Sequence, residues 1–273
     1  MTLVHLIAGA LARSYYLTKF ARLVVRVYDN DGNADMYKNG EATIIKMVAS
    51  ITNGDSTVVD VGANVGDWSA ALIDAGYEGH LVAIDPLRRN LAKVRERLGT
   101  LDCKRLELCE YALADQTGTA EFYTNRDPTL SGHDSLYDMR VIGYDERLER
   151  VNVQCITLDE LANNLMLSRI HFLKIDIEGN ELCALRGAKS LLHSGSIDFI
   201  QIEFGHAARA ARIYLHDIVN FVREYSYKIY VIKPQGILPV EFTPFTENRY
   251  SYINFLLVRN ELVSGLKAHV LRR

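Results

Sequence analysis

The stretch Thr57-Val58-Val59-Asp60-Val61-Gly62-Ala63-Asn64-Val65-Gly66-Asp67-Trp68-Ser69 decides how the rest of the chain is read. Val58, Val59 and Val61 are β-branched and make a short apolar run, which predicts a buried strand. At Gly62 that pattern breaks, and Trp68, Ala71 and Leu72 then recur at helical spacing. The segment therefore reads as strand, tight glycine turn and helix, the unit that binds nucleotides and related cofactors at the carboxyl end of its strand. Gly62 and Gly66 let the backbone turn sharply and a ligand approach closely.

The spacing within the turn discriminates between cofactors. A dinucleotide site needs G-x-G-x-x-G, whereas Ala63 and Asn64 stand where its middle glycine would be. Asp60, two residues before Gly62, would repel a pyrophosphate and attract a cation. S-adenosylmethionine carries an ammonium and a sulfonium and no phosphate, so an acid at this turn suits it better than NAD. The competing role for Asp60 is to cap the following helix or turn.

At 273 residues the chain is long enough for one large α/β domain or two small ones. A hydrophobic content of 48% and a charged content of 24% are ordinary for a globular protein. The net charge of -3 argues against general affinity for nucleic acid, and no nucleic-acid partner is expected. Cys103, Cys109, Cys155 and Cys183 show neither C-x-x-C nor zinc spacing. They suit buried thiols in a reducing, cytoplasmic compartment.

Residues 1–27 are apolar with Arg13, Lys19, Arg22 and Arg26 interspersed, in runs too short and too interrupted to span a bilayer. The absence of Lys or Arg before Leu3 and the helical periodicity through Tyr16, Phe20, Leu23 and Val27 argue against a signal peptide. These residues predict helices packed on the domain or on a partner subunit, giving a homo-oligomer contact, in preference to a membrane-surface helix. A loop over Asp29–Gly40 and a helix over Glu41–Ser50 follow. The predicted organisation is an N-terminal helical extension over 1–50, serving as substrate lid or oligomer contact, a cofactor-binding domain over 51–260 and a tail over 261–273.

A second apolar strand, Gly79 to Ile84, closes on Asp85-Pro86. Asp85 lies about twenty residues past the glycine turn, where a carboxylate can bind ribose hydroxyls. Arg88 and Arg89, in the first turn of the next helix, read as solvated rather than as ligands of an NADP phosphate. A third strand, Arg105 to Cys109, leads into Glu110, Tyr111 and Ala112, which flank the adenine position in a doubly wound sheet. Thr119–Tyr123 predicts a hairpin strand, and the polar residues 125–150 predict a lid whose substrate-facing candidates are His133, Ser135 and Tyr137. A strand over Val151–Ile156 and a capping box at Thr157-Leu158-Asp159-Glu160 follow.

The second informative stretch is His171-Phe172-Leu173-Lys174-Ile175-Asp176-Ile177-Glu178-Gly179-Asn180-Glu181, an apolar strand ending in two carboxylates, a glycine and a helix. Ile197–Phe204 repeats the plan and ends in Glu203-Phe204-Gly205-His206. A helix over Ala207–Tyr225 and strands over Tyr227–Ile232, Ile237–Phe242 and Tyr250–Val258 complete the chain, the last strands antiparallel because no helix separates them. Asp176, Glu178, Glu203 and His206 thus share the sheet edge that open α/β folds use for ligands. One of them is the candidate general base, and the others orient the acceptor. Three carboxylates and a histidine are also a donor set for Mg²⁺, a reading that ranks second, so no metal ligand is assigned.

V-D-V-G-A-N-V-G over Val59–Gly66, I-D-P over Ile84–Pro86, A-L-A-D-Q-T-G over Ala112–Gly118, T-L-D-E-L over Thr157–Leu161, L-K-I-D-I-E-G-N-E over Leu173–Glu181 and I-E-F over Ile202–Phe204 together resemble the FkbM-type S-adenosylmethionine-dependent methyltransferases. The resemblance spans about Glu41 to Val258. It implies the Rossmann-like class I methyltransferase fold, an α/β architecture with a mostly parallel seven-stranded sheet whose last strand is antiparallel and helices on both faces. It further implies methyl transfer to a hydroxyl of a sugar, polyketide or related small metabolite. Cofactor contacts then fall on Asp60, Gly62, Ala63, Asn64, Gly66, Asp85, Glu110, Tyr111, Ala112 and Asp176. Glu110 departs from the pattern, since relatives often carry Asn there. Two other functions compete: a nicotinamide-dependent oxidoreductase, opposed by the missing glycine and by Asp60, and a non-catalytic binding module.

Overall fold

The computed structural model describes residues 2–99, 101, 105–127, 132, 134–143, 147–240 and 252–271. Strand β1 (Thr57–Val61) is buried at every position because it lies between two parallel neighbours, β2 (His80–Ile84) and β7 (Ile170–Ile175). That placement explains a run of valines without polar alternation. Val58 faces one apolar layer, and Val59 and Val61 face the other. Helices α3 (Glu41–Ile51), α4 (Asp67–Asp74) and α5 (Arg88–Leu98) pack the first layer. Helices α6 (Leu158–Asn164), α7 (Glu181–Arg186), α8 (Lys189–His193) and α10 (Leu215–Arg223) pack the second.

The main sheet has eight strands rather than seven. Its order is β10-β9-β11-β8-β7-β1-β2-β3, completed by β3 (Arg105–Cys109), β8 (Ile197–Phe204), β9 (Tyr227–Lys233), β10 (Gly236–Pro239) and β11 (Ile253–Arg259). The final strand β11 is antiparallel to both neighbours, as expected. The strand beyond the seven that the resemblance implies is β10, the start of the run read over Ile237–Phe242, which folds back on β9 as an antiparallel hairpin and makes the sheet more mixed than the resemblance implies. Residues 241–251, the remainder of the strands expected over 237–242 and 250–258, lie outside the described residues, as do His133 and Cys103.

A second sheet, β4-β6-β5, is formed by β4 (Ala112–Leu113), β5 (Gly118–Asn125) and β6 (Leu148–Ile156). The hairpin read from the sequence is therefore part of a separate three-stranded layer over the carboxyl end of the main sheet. Two expected helices are each split. The first breaks at Gly187 between α7 and α8, and the second at Arg212, whose φ of 57° ends α9 (Ala207–Ala211) before α10. In α6, Thr157 Oγ accepts the Glu160 N–H at 3.1 Å, the cap the sequence predicts.

Helix α3 belongs to the body, with Ile44, Ile45, Met47 and Val48 buried against the sheet. Helices α1 (Leu3–Leu11) and α2 (Tyr15–Asp29) differ, and α2 has no buried residue. Among the described residues no helix is long and apolar enough to cross a membrane. Val270 of the tail bridges to Ile237, and Leu266 is buried, so residues 261–271 pack on the sheet.

Gly62 has φ of 79°, and a Cβ there would lie 1.8 Å from the Asp176 carbonyl oxygen. Gly54 has open space around it. Gly62→Ala should destabilise the fold by more than about 3 kcal/mol in urea titration, while Gly54→Ala should stay within about 0.5 kcal/mol.

Candidate active site

The tips of β1, β2, β7 and β8 surround a cavity of about 320 Å³, roofed by Phe122 and Leu136. That volume lies in the range of small-molecule sites. The Gly62 turn forms its floor. Gly62 N–H and Ala63 N–H both donate to the Ile84 carbonyl, at 2.9 and 3.0 Å, and Asn64 N–H donates to Asp85 Oδ2 at 3.0 Å. These amides are thus already bonded within the protein, unlike the amides that cradle phosphate in dinucleotide sites. Among the described residues, the cavity wall carries Asp85, Asp134, Asp176, Glu178 and Glu203 and no Lys or Arg. A wall of carboxylates without a base fits a cationic ligand and disfavours a pyrophosphate.

Asp85 is buried and takes three N–H donors, from Asn64, Leu87 (2.8 Å) and Asn90 (3.1 Å). Burial pushes its pKa up to about 7, although those three donors oppose the shift. Asp60 does not reach the cavity. It is fully buried beneath the turn, where Ser69 Oγ donates to Oδ2 at 2.6 Å and Lys174 Nζ lies 3.8 Å from Oδ1. Burial raises its pKa, and the Lys174 ammonium and the Ser69 hydroxyl counter that rise. The bond to Ser69 ties α4 to β1, so Asp60 organises the turn from below.

Of the remaining expected cofactor residues, Gly62, Asn64, Tyr111, Ala112 and Asp176 line the cavity. Ala63 lines the adjoining space, and Gly66 packs on Val94 at the start of α4. Glu110 is exposed and outside the lining, because the chain turns at the end of β3 and presents Tyr111 and Ala112 instead. Arg88 is exposed. Arg89, expected to be solvated, is drawn to Thr124 at 2.5 Å and to Asp134 at 3.7 Å, holding the roof to α5.

Asp176, Glu178 and Glu203 each place a carboxylate oxygen within 4.8 Å of the others. Ser135 Oγ donates to the Glu178 carbonyl at 2.6 Å, so the lid segment holds the turn that carries Glu178. Tyr137 Oη donates to Asn180 Oδ1 at 3.3 Å, and Asn180 Nδ2 donates to the Leu113 carbonyl at 2.7 Å. Glu203 accepts the Tyr252 hydroxyl at 2.6 Å, and burial with the nearby Asp176 and Glu178 charges holds its pKa well above the ordinary carboxylate value. His206 is not brought into this cluster. β8 stops at Phe204 and Gly205 turns the chain, leaving His206 exposed at the start of α9 and outside both cavities.

A second cavity of about 630 Å³ opens beside the first and shares Gly62, Asn64, Asp176, Glu203 and Tyr252 with it. Glu41, Tyr37 and Trp68 line its far side. The two spaces meet at the carboxylate cluster.

Against known families, the model of the methyltransferase FkbM domain matches residues 60–229. The chain belongs to the FkbM methyltransferase family. As a member of that family it is an S-adenosylmethionine-dependent methyltransferase, which sets aside the oxidoreductase and the non-catalytic module. A search of curated proteins finds no match. Among solved structures, this FkbM-family chain is similar to an rRNA methylase from Streptococcus thermophilus at 13% identity, covering 81% of this chain and 97% of that one, with a TM-score of 0.45. It is also similar to magnesium protoporphyrin IX methyltransferase from Synechocystis PCC 6803 with bound S-adenosylmethionine, at 14% identity, 89% and 91% coverage and a TM-score of 0.43. A third, the S-adenosylmethionine-dependent O-methyltransferase of Thermotoga maritima, is 12% identical over 85% of this chain and 66% of that one, with a TM-score of 0.41.

Among the site residues that escaped the sequence reading are Asn90, Asp134, Lys174, Asn180 and Tyr252. Lys174 left a signal, since a lone basic residue inside an apolar strand must be paired. It lies between Asp176, at 2.8 Å, and Asp60, and both carboxylates raise its pKa against the opposing effect of burial. Lys174→Met should leave Asp60 buried without its cation and cost about 3–5 kcal/mol in chemical denaturation. Adding Asp60→Asn to that variant should recover a large part of the loss.

Proposed function

We propose that this methyltransferase transfers a methyl group to a hydroxyl of a small metabolite, such as a sugar or polyketide, in the cytoplasm. The observation that carries the reading is the carboxylate cluster of Asp176, Glu178 and Glu203 at the junction of the two cavities. A neutral hydroxyl is a weak nucleophile and gains from a base that takes its proton, whereas an amine or thiolate acceptor has less need of one. Bound S-adenosylmethionine would supply an electrophilic methyl group on a positively charged sulfur.

The chain's own residues have separable tasks in this reading. Asp85, with Asn64 beside it, receives the ribose hydroxyls, and Tyr111 with Ala112 bounds the adenine space. Asp176 offers its carboxylate to the donor's cationic end while Lys174 fixes its orientation. Glu203, steadied by Tyr252, takes the acceptor's proton, and Glu178 positions the acceptor. Alignment of acceptor oxygen with the methyl carbon can supply about 7–11 kcal/mol, and the base about 10²–10⁴-fold more. The second cavity, with the exposed ring of Tyr37 on one side and Asp176 and Glu203 at its junction with the first, gives a polyhydroxylated acceptor an aromatic face and hydrogen-bond acceptors. A hard cation held by the three carboxylates is the second reading, favoured by their spacing. It would lower the acceptor's pKa in place of the base.

The test is label transfer from methyl-tritiated S-adenosylmethionine to a panel of glycosides and polyketide alcohols. Glu203→Gln should bind the cofactor within a few-fold of the parent and lose about 10²–10⁴-fold in kcat. In the parent, kcat/KM should rise with pH through an inflection above the usual carboxylate range, because Glu203 acts only after losing its proton. Glu203→Gln should lack that limb, and His206→Ala should keep near-parental turnover. Full activity in Glu203→Gln overturns the assignment of the base, and loss of activity on exhaustive chelation favours the cation.

A further inference from the structure

Helices α1 and α2 carry an apolar surface that the body of the protein does not cover. On α2, Tyr16, Phe20, Leu23 and Val27 share one side and are 81%, 64%, 56% and 71% exposed. Leu17, Val24 and Tyr28 widen that side, whereas Thr18, Lys19, Arg22 and Arg26 recur at spacings of three and four on the opposite one. No Asp or Glu precedes Asp29, at the end of α2, while Arg13 adds a further positive charge between the helices. Val4, Ile7 and Leu11 of α1 are exposed as well.

The helix pair is held to the domain at the end of α2. Lys233 Nζ donates to the Tyr28 carbonyl at 2.6 Å and stands 5.2 Å from the centre of its ring. Asn30 Nδ2 donates to the Asn39 carbonyl at 2.6 Å, and Tyr252 N–H donates to Asp31 Oδ1 at 2.9 Å. The base of α2 is thereby tied to Tyr252, whose hydroxyl reaches Glu203 at the candidate site.

We propose that α1 and α2 dock on the surface of an anionic lipid bilayer. Their apolar side enters the boundary between headgroups and acyl chains, and Lys19, Arg22 and Arg26 meet the headgroup phosphates. A wide apolar face carrying Phe and Tyr, with basic residues and no acid on the polar face, is the pattern of helices that lie in that plane. Charge decides between the bilayer and a second copy of the chain. A two-fold contact through the apolar side of α2 would cover Tyr16, Phe20, Leu23 and Val27 but offer no counter-charge to Lys19, Arg22 and Arg26 on the opposite side, whereas an anionic surface takes up both sides. Docking sets the rim of the cavity, near Ala34 and Tyr252, beside the headgroups.

The test is flotation of the full-length protein with vesicles of phosphatidylcholine alone or with added phosphatidylglycerol. The expected result is flotation with the anionic vesicles, falling at least about tenfold with neutral vesicles or in high salt. Lys19→Gln, Arg22→Gln and Arg26→Gln combined should lose the same factor, and Phe20→Asp with Leu23→Asp should abolish binding. Thermal melts by circular dichroism should match the parent for both variants, because the altered side chains are exposed. Absence of flotation with anionic vesicles, or undiminished flotation of the triple variant, overturns the proposal. So does a stable dimer, formed without lipid, that Phe20→Asp with Leu23→Asp dissociates.

Discussion

A buried lysine between two aspartates holds the site together. Lys174 lies on β7, next to β1, and its ammonium bridges Asp176 above the sheet edge and Asp60 beneath the glycine turn. Asp60 and Lys174 are buried where an unpaired charge is costly, so each depends on the other, and Lys174 also pairs with Asp176. Because Asp60 also grips Ser69, the same network fixes where α4 begins and hence the shape of the turn. Gly62 completes the arrangement, since only a residue without a side chain lets β1's exit pass the Asp176 carbonyl.

From that anchor the chemistry follows by proximity. Asp176 leaves β7 already oriented, Glu203 leaves the neighbouring β8 at the same level, and Tyr252, just before β11, closes over Glu203. Crowding Asp85, Asp134, Asp176, Glu178 and Glu203 around one cavity costs stability unless protons or a cationic ligand relieve it. Glu203 and Asp85 absorb part of that cost through raised pKa values. A positively charged methyl donor would relieve the rest.

The sequence revealed those parts of this arrangement that local rules govern. The β1–turn–α4 unit, Asp85 closing β2 and the acids after β7 all sit within short stretches whose apolar period breaks at a glycine, a proline or a carboxylate. What escaped the reading was set by distant partners. Asp60 points beneath the turn because Ser69 and Lys174 lie there, a geometry that alternation along β1 alone could not separate from a cavity-facing one. Tyr252 reaches Glu203 across a pairing of β8 and β11 that is remote in sequence. His206 looked equivalent to Glu203 by position, but Gly205 ends the strand between them. The splits at Gly187 and Arg212 likewise interrupt helical patterns whose apolar spacing runs on through them.

The central claim is that the acid-lined cavity exists to hold a cationic methyl donor. Titration calorimetry of the purified full-length protein tests it most directly, with S-adenosylmethionine, its demethylated product and NAD as separate ligands. The account predicts saturable one-to-one binding of the first two and none of NAD. Binding of NAD, with no measurable affinity for S-adenosylmethionine or its product, would contradict it.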